Sequence, residues 1–194
     1  YAKGIFQYHL NFDLSFRFKK GQMTFEATPD YLPDFEAHKR IKKHLPDIKL
    51  IAILREPVSR SFSAWKMHHF LFKDHPKYSD LYDARTFDQV IQDALEKKLP
   101  PRSKFDHIAR SKYGEQLENL YKYFDKKKVL VLDYEELERN PQETMNRIYS
   151  FLGLSGFSLE EVNTGEERFW SNISQEKEIR LSDDQIKVLK KYFS

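Results

Sequence analysis

The chain has no cysteine. That excludes a disulfide framework and any metal site built on thiolates, and it favours a cytoplasmic, reducing compartment while leaving a secretory route or the Golgi lumen open. Glycine is scarce: six residues, scattered along the chain, from which no glycine-rich loop with a Lys-Ser/Thr ending can be assembled. No apolar run reaches the length of a membrane span, and the first residues do not read as a signal peptide. Neither charge sign dominates. Lys and Arg number 33 against 30 Asp and Glu, a net charge of +3, too little to argue for a nucleic-acid partner. Carboxylates and histidines do not cluster at metal-ligand spacing, so no metal is implied.

What is present suits one domain over residues 1–194, long enough for a sizeable core and supplied with 16 Phe, 11 Tyr and 2 Trp to fill it. Two short apolar runs, Lys49–Leu54 and Lys128–Asp133, read as strands buried on both faces. Between and after them the apolar spacing turns helical. Asp34 caps a helix to His44 that carries His38, Lys39, Arg40, Lys42 and Lys43 on its wet side. Thr86-Phe-Asp-Gln89 is a capping box opening a helix to about Lys98. Ile108–Phe124 reads as one long helix with Tyr113 on its apolar stripe. Asn140-Pro141 starts a helix by side-chain cap and first-turn proline, and Gly153 ends it. Ser182-Asp-Asp-Gln185 caps the last one. Alternating strands and helices predict an α/β fold with a mainly parallel sheet flanked by helices.

The most informative stretch follows the first strand: Arg55-Glu-Pro-Val-Ser-Arg-Ser-Phe-Ser63. Pro57 suits a first helical position, which places Arg55 at the carboxyl end of a strand beside the open amides of a helix. Such an end favours an anion, phosphate above all. Ser59 and Ser63, four apart, share one helix face, and Arg60 falls on the same side. A guanidinium offers two donors to phosphate oxygens and hydroxyls add more without charge. An arginine at a sheet edge and serines on a solvated helix would be written with the same letters.

The run Ile53–Trp65 resembles the 3′-phosphate-binding segment of sulfotransferases that use 3′-phosphoadenosine 5′-phosphosulfate (PAPS). The resemblance implies that Arg55 and Ser63 hold the 3′-phosphate of the donor. It extends along the chain. Glu26-Ala-Thr-Pro-Asp-Tyr31, expected just past a short strand, is similar to the Glu-x-(Thr/Ser)-x-x-Tyr element of glycan-directed members and implies that Glu26 is the catalytic base, removing the acceptor's proton as its oxygen attacks sulfur. Tyr1-Ala-Lys3-Gly4 resembles an acceptor-side element, making Lys3 a substrate-binding candidate beside His68 and His69, which follow the Ser63 helix. Two adjacent histidines on a helix point about 100° apart, so at most one of them serves.

Arg110-Ser-Lys-Tyr113 resembles the opening of a family helix and makes Tyr113 a donor-site candidate. Lys128–Leu137 and Phe151–Leu154 match structural signatures. Glu166–Ser171 resembles the start of a disulfide-closed loop leading to a basic nucleotide clamp, but serine stands where the family has cysteine, and only Lys177 and Arg180 remain as cations there.

Taken together, the resemblance implies a fold like that of P-loop nucleotide kinases, apparently lacking the first strand–loop–helix unit that grips the 5′-phosphosulfate. It implies sulfuryl transfer from PAPS to a hydroxyl, or less readily an amine, of a small molecule or glycan. Two rivals stand beside it. One is a P-loop-type phosphotransferase of similar fold. The other is a noncatalytic module that binds an anionic glycan or nucleotide through the basic helix after Asp34.

Overall fold

In the computed structural model, residues 23–100, 103–156, 158 and 179–194 are described. Two parallel strands organise them: β1 (Leu50–Leu54) and β2 (Val129–Asp133), paired from Leu50 opposite Val129 to Leu54 opposite Asp133. A parallel pair demands a long crossover. Here it carries α2 (Pro57–Lys66), α3 (Phe87–Leu95) and α4 (Tyr113–Tyr121). Before β1 lies α1 (Phe35–His44), and β2 runs straight into α5 (Tyr134–Arg139) and α6 (Pro141–Leu152). The last described helix is α7 (Asp183–Phe193). This is the α/β architecture that the alternation of patterns predicts.

Two apolar clusters hold it. One gathers Val58, Phe62 and Trp65 of α2, Phe87, Val90 and Ile91 of α3, Ile108, and Leu189 of α7. Trp65 stacks on Phe62 at 5.6 Å and donates its indole N–H to the Arg85 carbonyl at 2.8 Å, so the largest ring in the cluster is also polar-satisfied. The second joins Leu120, Phe124 and Val129 with Leu32, Ile41 and Leu50, which seats α1 and α4 against the sheet. Both capping boxes form, Thr86 with Gln89 and Ser182 with Gln185. Gly153 ends α6 at φ 77°, the left-handed conformation that a side chain would resist.

Five expectations need correction. β1 is not buried on both faces: Ile51 and Ile53 remain 39% and 45% exposed. An apolar run permits burial, but a face is covered only where a second layer lies on it. Residues 23–28 form no strand and are exposed, Phe25 to 90%, since no partner strand runs beside them among the described residues. His38 is buried, not wet, because hydrogen bonds take up both ring nitrogens. The helix expected over 108–124 is a 3-10 turn at Ala109–Ser111, then α4 from Tyr113, with Lys112 out of helical geometry at ψ 73°. Asn140 makes no side-chain cap, so Pro141 alone marks the start of α6.

Candidate active site

Arg55 is the first residue past β1, and its position follows from where the strand's ladder stops. Its guanidinium lies over the Tyr134 ring, 5.3 Å from the centroid, at the point where β2 becomes α5. Its Nε is buried and has no hydrogen-bond partner among the described residues. Among the described residues no carboxylate pairs with it. A half-buried cation, stacked on an aromatic plate with an orphaned donor, is suited to an anionic ligand.

The helix amides beside it are not open, contrary to expectation. The Glu56 carboxylate accepts from Val58 N at 3.1 Å and from Ser59 N at 2.7 Å, capping α2 with its own side chain. Burial would raise the pKa of Glu56, but those two amides, helped by the Ser59 hydroxyl and the Lys190 charge, outweigh it and hold the carboxyl below its usual range. The start of α2 therefore offers no bare helix end to an anion. Ser59 and Ser63 stand one turn apart on α2, both partly exposed.

Tyr113 opens α4, and its hydroxyl lies near the Arg55 backbone, which sets the crossover's last helix beside the β1–α2 junction. Burial raises its pKa. Arg60 sits one turn into α2 and is spent internally: Nη1 donates to the His107 carbonyl at 2.9 Å and to the Ser111 hydroxyl at 3.4 Å. Burial, chiefly, lowers its pKa, with the Arg110 charge adding to that and Tyr113 and Asp30 opposing it. Arg110 in turn pairs with Asp30. Glu26, four residues before Asp30, is exposed on an irregular segment.

His68 and His69 lie on a π-helical turn, Met67–Leu71, that continues α2. Each directs Nδ1–H to a carbonyl, His68 to Leu81 and His69 to Asp83, both at 2.8 Å. His68 is buried, and burial together with neighbouring His107 brings its pKa down to about 4. It belongs to a network that sequence reasoning missed. Asp83, 4% exposed, accepts from His107 Nε2 at 3.0 Å and from two Arg85 nitrogens at 2.9 and 2.6 Å. Burial opposes ionisation of Asp83, but His107 and Arg85 together keep it well below the usual carboxylate range. Their sequence positions, 83, 85 and 107, carry no motif, so only the fold joins them. Tyr134 and Glu56 were missed as well, although both sit inside runs already singled out.

Arg180 is described and exposed just before α7. Lys3, Lys177 and the stretch Glu166–Ser171 lie outside the described residues. Among the described residues no helix is long and apolar enough to cross a membrane.

Comparison with known proteins bears on this geometry. A sequence model of the sulfotransferase domain matches residues 28–178. Mouse heparan sulfate glucosamine 3-O-sulfotransferase 3B1 is 30% identical over 154 residues, which are 79% of this chain and 36% of that protein. Human bifunctional heparan sulfate N-deacetylase/N-sulfotransferase 2 is 28% identical over 134 residues, 69% of this chain and 14% of its own length. The chain thus spans about a third of the first of these relatives and less of the second. The crystal structure of a sulfotransferase from Alicyclobacillus acidocaldarius superposes with a TM-score of 0.60 at 20% identity, covering 84% of this chain and 57% of its own, and so shares the fold. The chain belongs to the sulfotransferase domain family.

Proposed function

We propose that this domain transfers a sulfuryl group from PAPS to a hydroxyl, with Glu26 as base and Arg55 and Ser63 holding the donor's 3′-phosphate. The carrying observation is Arg55: a guanidinium at the end of a strand, stacked on Tyr134, with a buried Nε that none of the described residues satisfies. An anion supplies the missing acceptor, and a guanidinium fork matches two phosphate oxygens. When bound, PAPS would supply an activated sulfuryl group on a good leaving group.

The protein's own part is to bind, orient and take up a proton. Arg55 and the Ser63 hydroxyl fix the nucleotide end; Ser59, whose hydroxyl already turns to Glu56, is a weaker contact. Arg60, committed to His107 and Ser111, adds positive potential and no direct contact. Tyr113 lies beside the Arg55 backbone. Glu26 is exposed, so an acceptor can reach it, and a carboxylate there takes the acceptor's proton within hydrogen-bond distance. Similarity to enzymes named for heparan sulfate supports a carbohydrate acceptor, and so a glycan as partner. Lys3, Lys177, Arg180, His68 and His69 stay weaker candidates. Of these, the histidines are already committed through Nδ1.

The test is Glu26→Gln. With labelled donor and a heparan-type acceptor, turnover falls about 100-fold or more, while adenosine 3′,5′-bisphosphate binds as before. Undiminished turnover would remove Glu26 from the chemistry. Unchanged binding of an anionic glycan, with no turnover in the unsubstituted protein either, would favour a noncatalytic module instead.

A further inference from the structure

Among the described residues, the segment that carries Glu26 has no ladder to hold it. Residues 23–28 are exposed and irregular, and the chain becomes regular only at α1. A base on such a segment takes its position from what fastens the segment to the rest of the fold. From Leu32 on, the chain is fastened. His38 donates Nε2–H to the Leu32 carbonyl at 3.1 Å, and its Nδ1 then accepts from Asn119 of α4 at 2.9 Å. Asp34 caps α1 through Glu36 N and accepts from Arg40 at 2.9 Å. Upstream of Leu32, among the described residues, the tie nearest Glu26 that reaches another part of the fold is the ion pair of Asp30 with Arg110.

Arg110 is well placed to act as an anchor. Its side chain is 13% exposed, against 73% for Asp30, so the arginine is the fixed partner and the aspartate the one being held. The turn that bears it is rigid. Asp106 Oδ1 accepts from Ala109 N at 2.9 Å, the Arg110 carbonyl accepts from Gln116 at 3.0 Å, and the next residue, Ser111, shares a 2.9 Å hydrogen bond with Ser61 of α2. Two residues further, Tyr113 meets the Arg55 backbone. One short stretch, 110–113, therefore touches both the Glu26 segment and the β1–α2 junction. Asp30 also offsets a crowd of positive charge, since Arg60 and Arg110 repel each other across this corner.

We propose that the Asp30–Arg110 ion pair is a positioning pair: it sets the Glu26 segment beside the Arg55 junction and so holds the base in register with the donor. This rests on Glu26 being the base. A misplacement of about 1 Å at a reacting group costs up to 100-fold in rate, so an exposed ion pair of small value to stability can still govern turnover.

The experiment uses Asp30→Asn, Arg110→Gln and the exchanged pair Asp30→Arg with Arg110→Asp, each in the full-length enzyme, with Glu26→Gln as background and control. The expected results are a fall in kcat of roughly ten- to a hundredfold for either single substitution, partial recovery in the exchanged pair, and unchanged affinity for adenosine 3′,5′-bisphosphate. Hydrogen exchange of amides 24–31 speeds up in the single variants, a readout that needs no catalysis. On the Glu26→Gln background, Asp30→Asn causes no further loss of turnover. Wild-type kcat together with unchanged exchange in both single variants overturns the proposal. An equal loss with and without Glu26 also overturns it, because the pair would then act elsewhere. Full turnover in Glu26→Gln alone counts against the base assignment, and the exchange rates then decide the pair by themselves.

Discussion

Arg55 and Arg60 are five residues apart and meet opposite fates. Arg60 turns inward, where two neutral acceptors, the His107 carbonyl and the Ser111 hydroxyl, take its Nη1 donors. Arg55 stays at the surface of the same corner with a donor left over. Sequence spacing put both on the ligand side, because a helical wheel counts angles and knows nothing of what packs against them. The difference has a measurable consequence. Arg60→Ala removes two internal hydrogen bonds and the packing of a largely buried side chain, and is expected to cost about 2 kcal/mol of stability. Its effect on adenosine 3′,5′-bisphosphate affinity should stay within about threefold, since it removes potential and not a hydrogen bond. Denaturant unfolding and calorimetry on one preparation read both. Large loss of affinity at unchanged stability would reverse the assignment.

Among the elements, the π-helical turn after α2 and the segment 79–86 are joined by histidines. His68 and His69 bond to the Leu81 and Asp83 carbonyls, and Asp83 bonds to His107 and Arg85. His68 has its pKa lowered to about 4 by burial and by His107, below the 6.5 of a free histidine. In the window between those values the unfolded chain binds the proton and the folded chain does not. The stabilising contribution is thus complete above about pH 6.5 and is lost as pH falls toward 4. Between pH 7 and 5 the loss is up to about 2 kcal/mol from this group. His68→Gln, which keeps a donor for the Leu81 carbonyl, should flatten that part of the stability–pH curve. A curve as steep as the unsubstituted protein's would show that another group titrates there.

Elements were the most legible level, sites the least. Capping boxes at Thr86 and Ser182 were readable because their geometry is local: three residues settle it. The two strands were readable by length and composition, yet the exposure of Ile51 and Ile53 was not, because covering a face is a decision of the whole fold. The burial of His38 had no local signal either; it depends on Asn119, 81 residues away. The same holds for the Asp83–His107 pair and for Asp30 with Arg110. Glu56 is the instructive near miss. A carboxylate directly before a first-turn proline is a cap by position, and reading it so would have closed the helix amides that the anion was expected to use.

At the scale of the molecule, the fold brings one corner together from three separate stretches: the β1–α2 junction, the start of α4 and the β2–α5 junction. The first gives Arg55 its place, the second sets Tyr113 beside its backbone and the third lays the Tyr134 ring under its guanidinium. The claim that this corner grips the ribose phosphate is tested most directly by titrating adenosine 3′,5′-bisphosphate and adenosine 5′-monophosphate into the unsubstituted protein and into Arg55→Ala. The bisphosphate is expected to bind the unsubstituted protein at least about tenfold more tightly than the monophosphate, with Arg55→Ala losing about 2 kcal/mol on the bisphosphate alone. Equal affinity for the two nucleotides, or a bisphosphate affinity that Arg55→Ala leaves untouched, would contradict it.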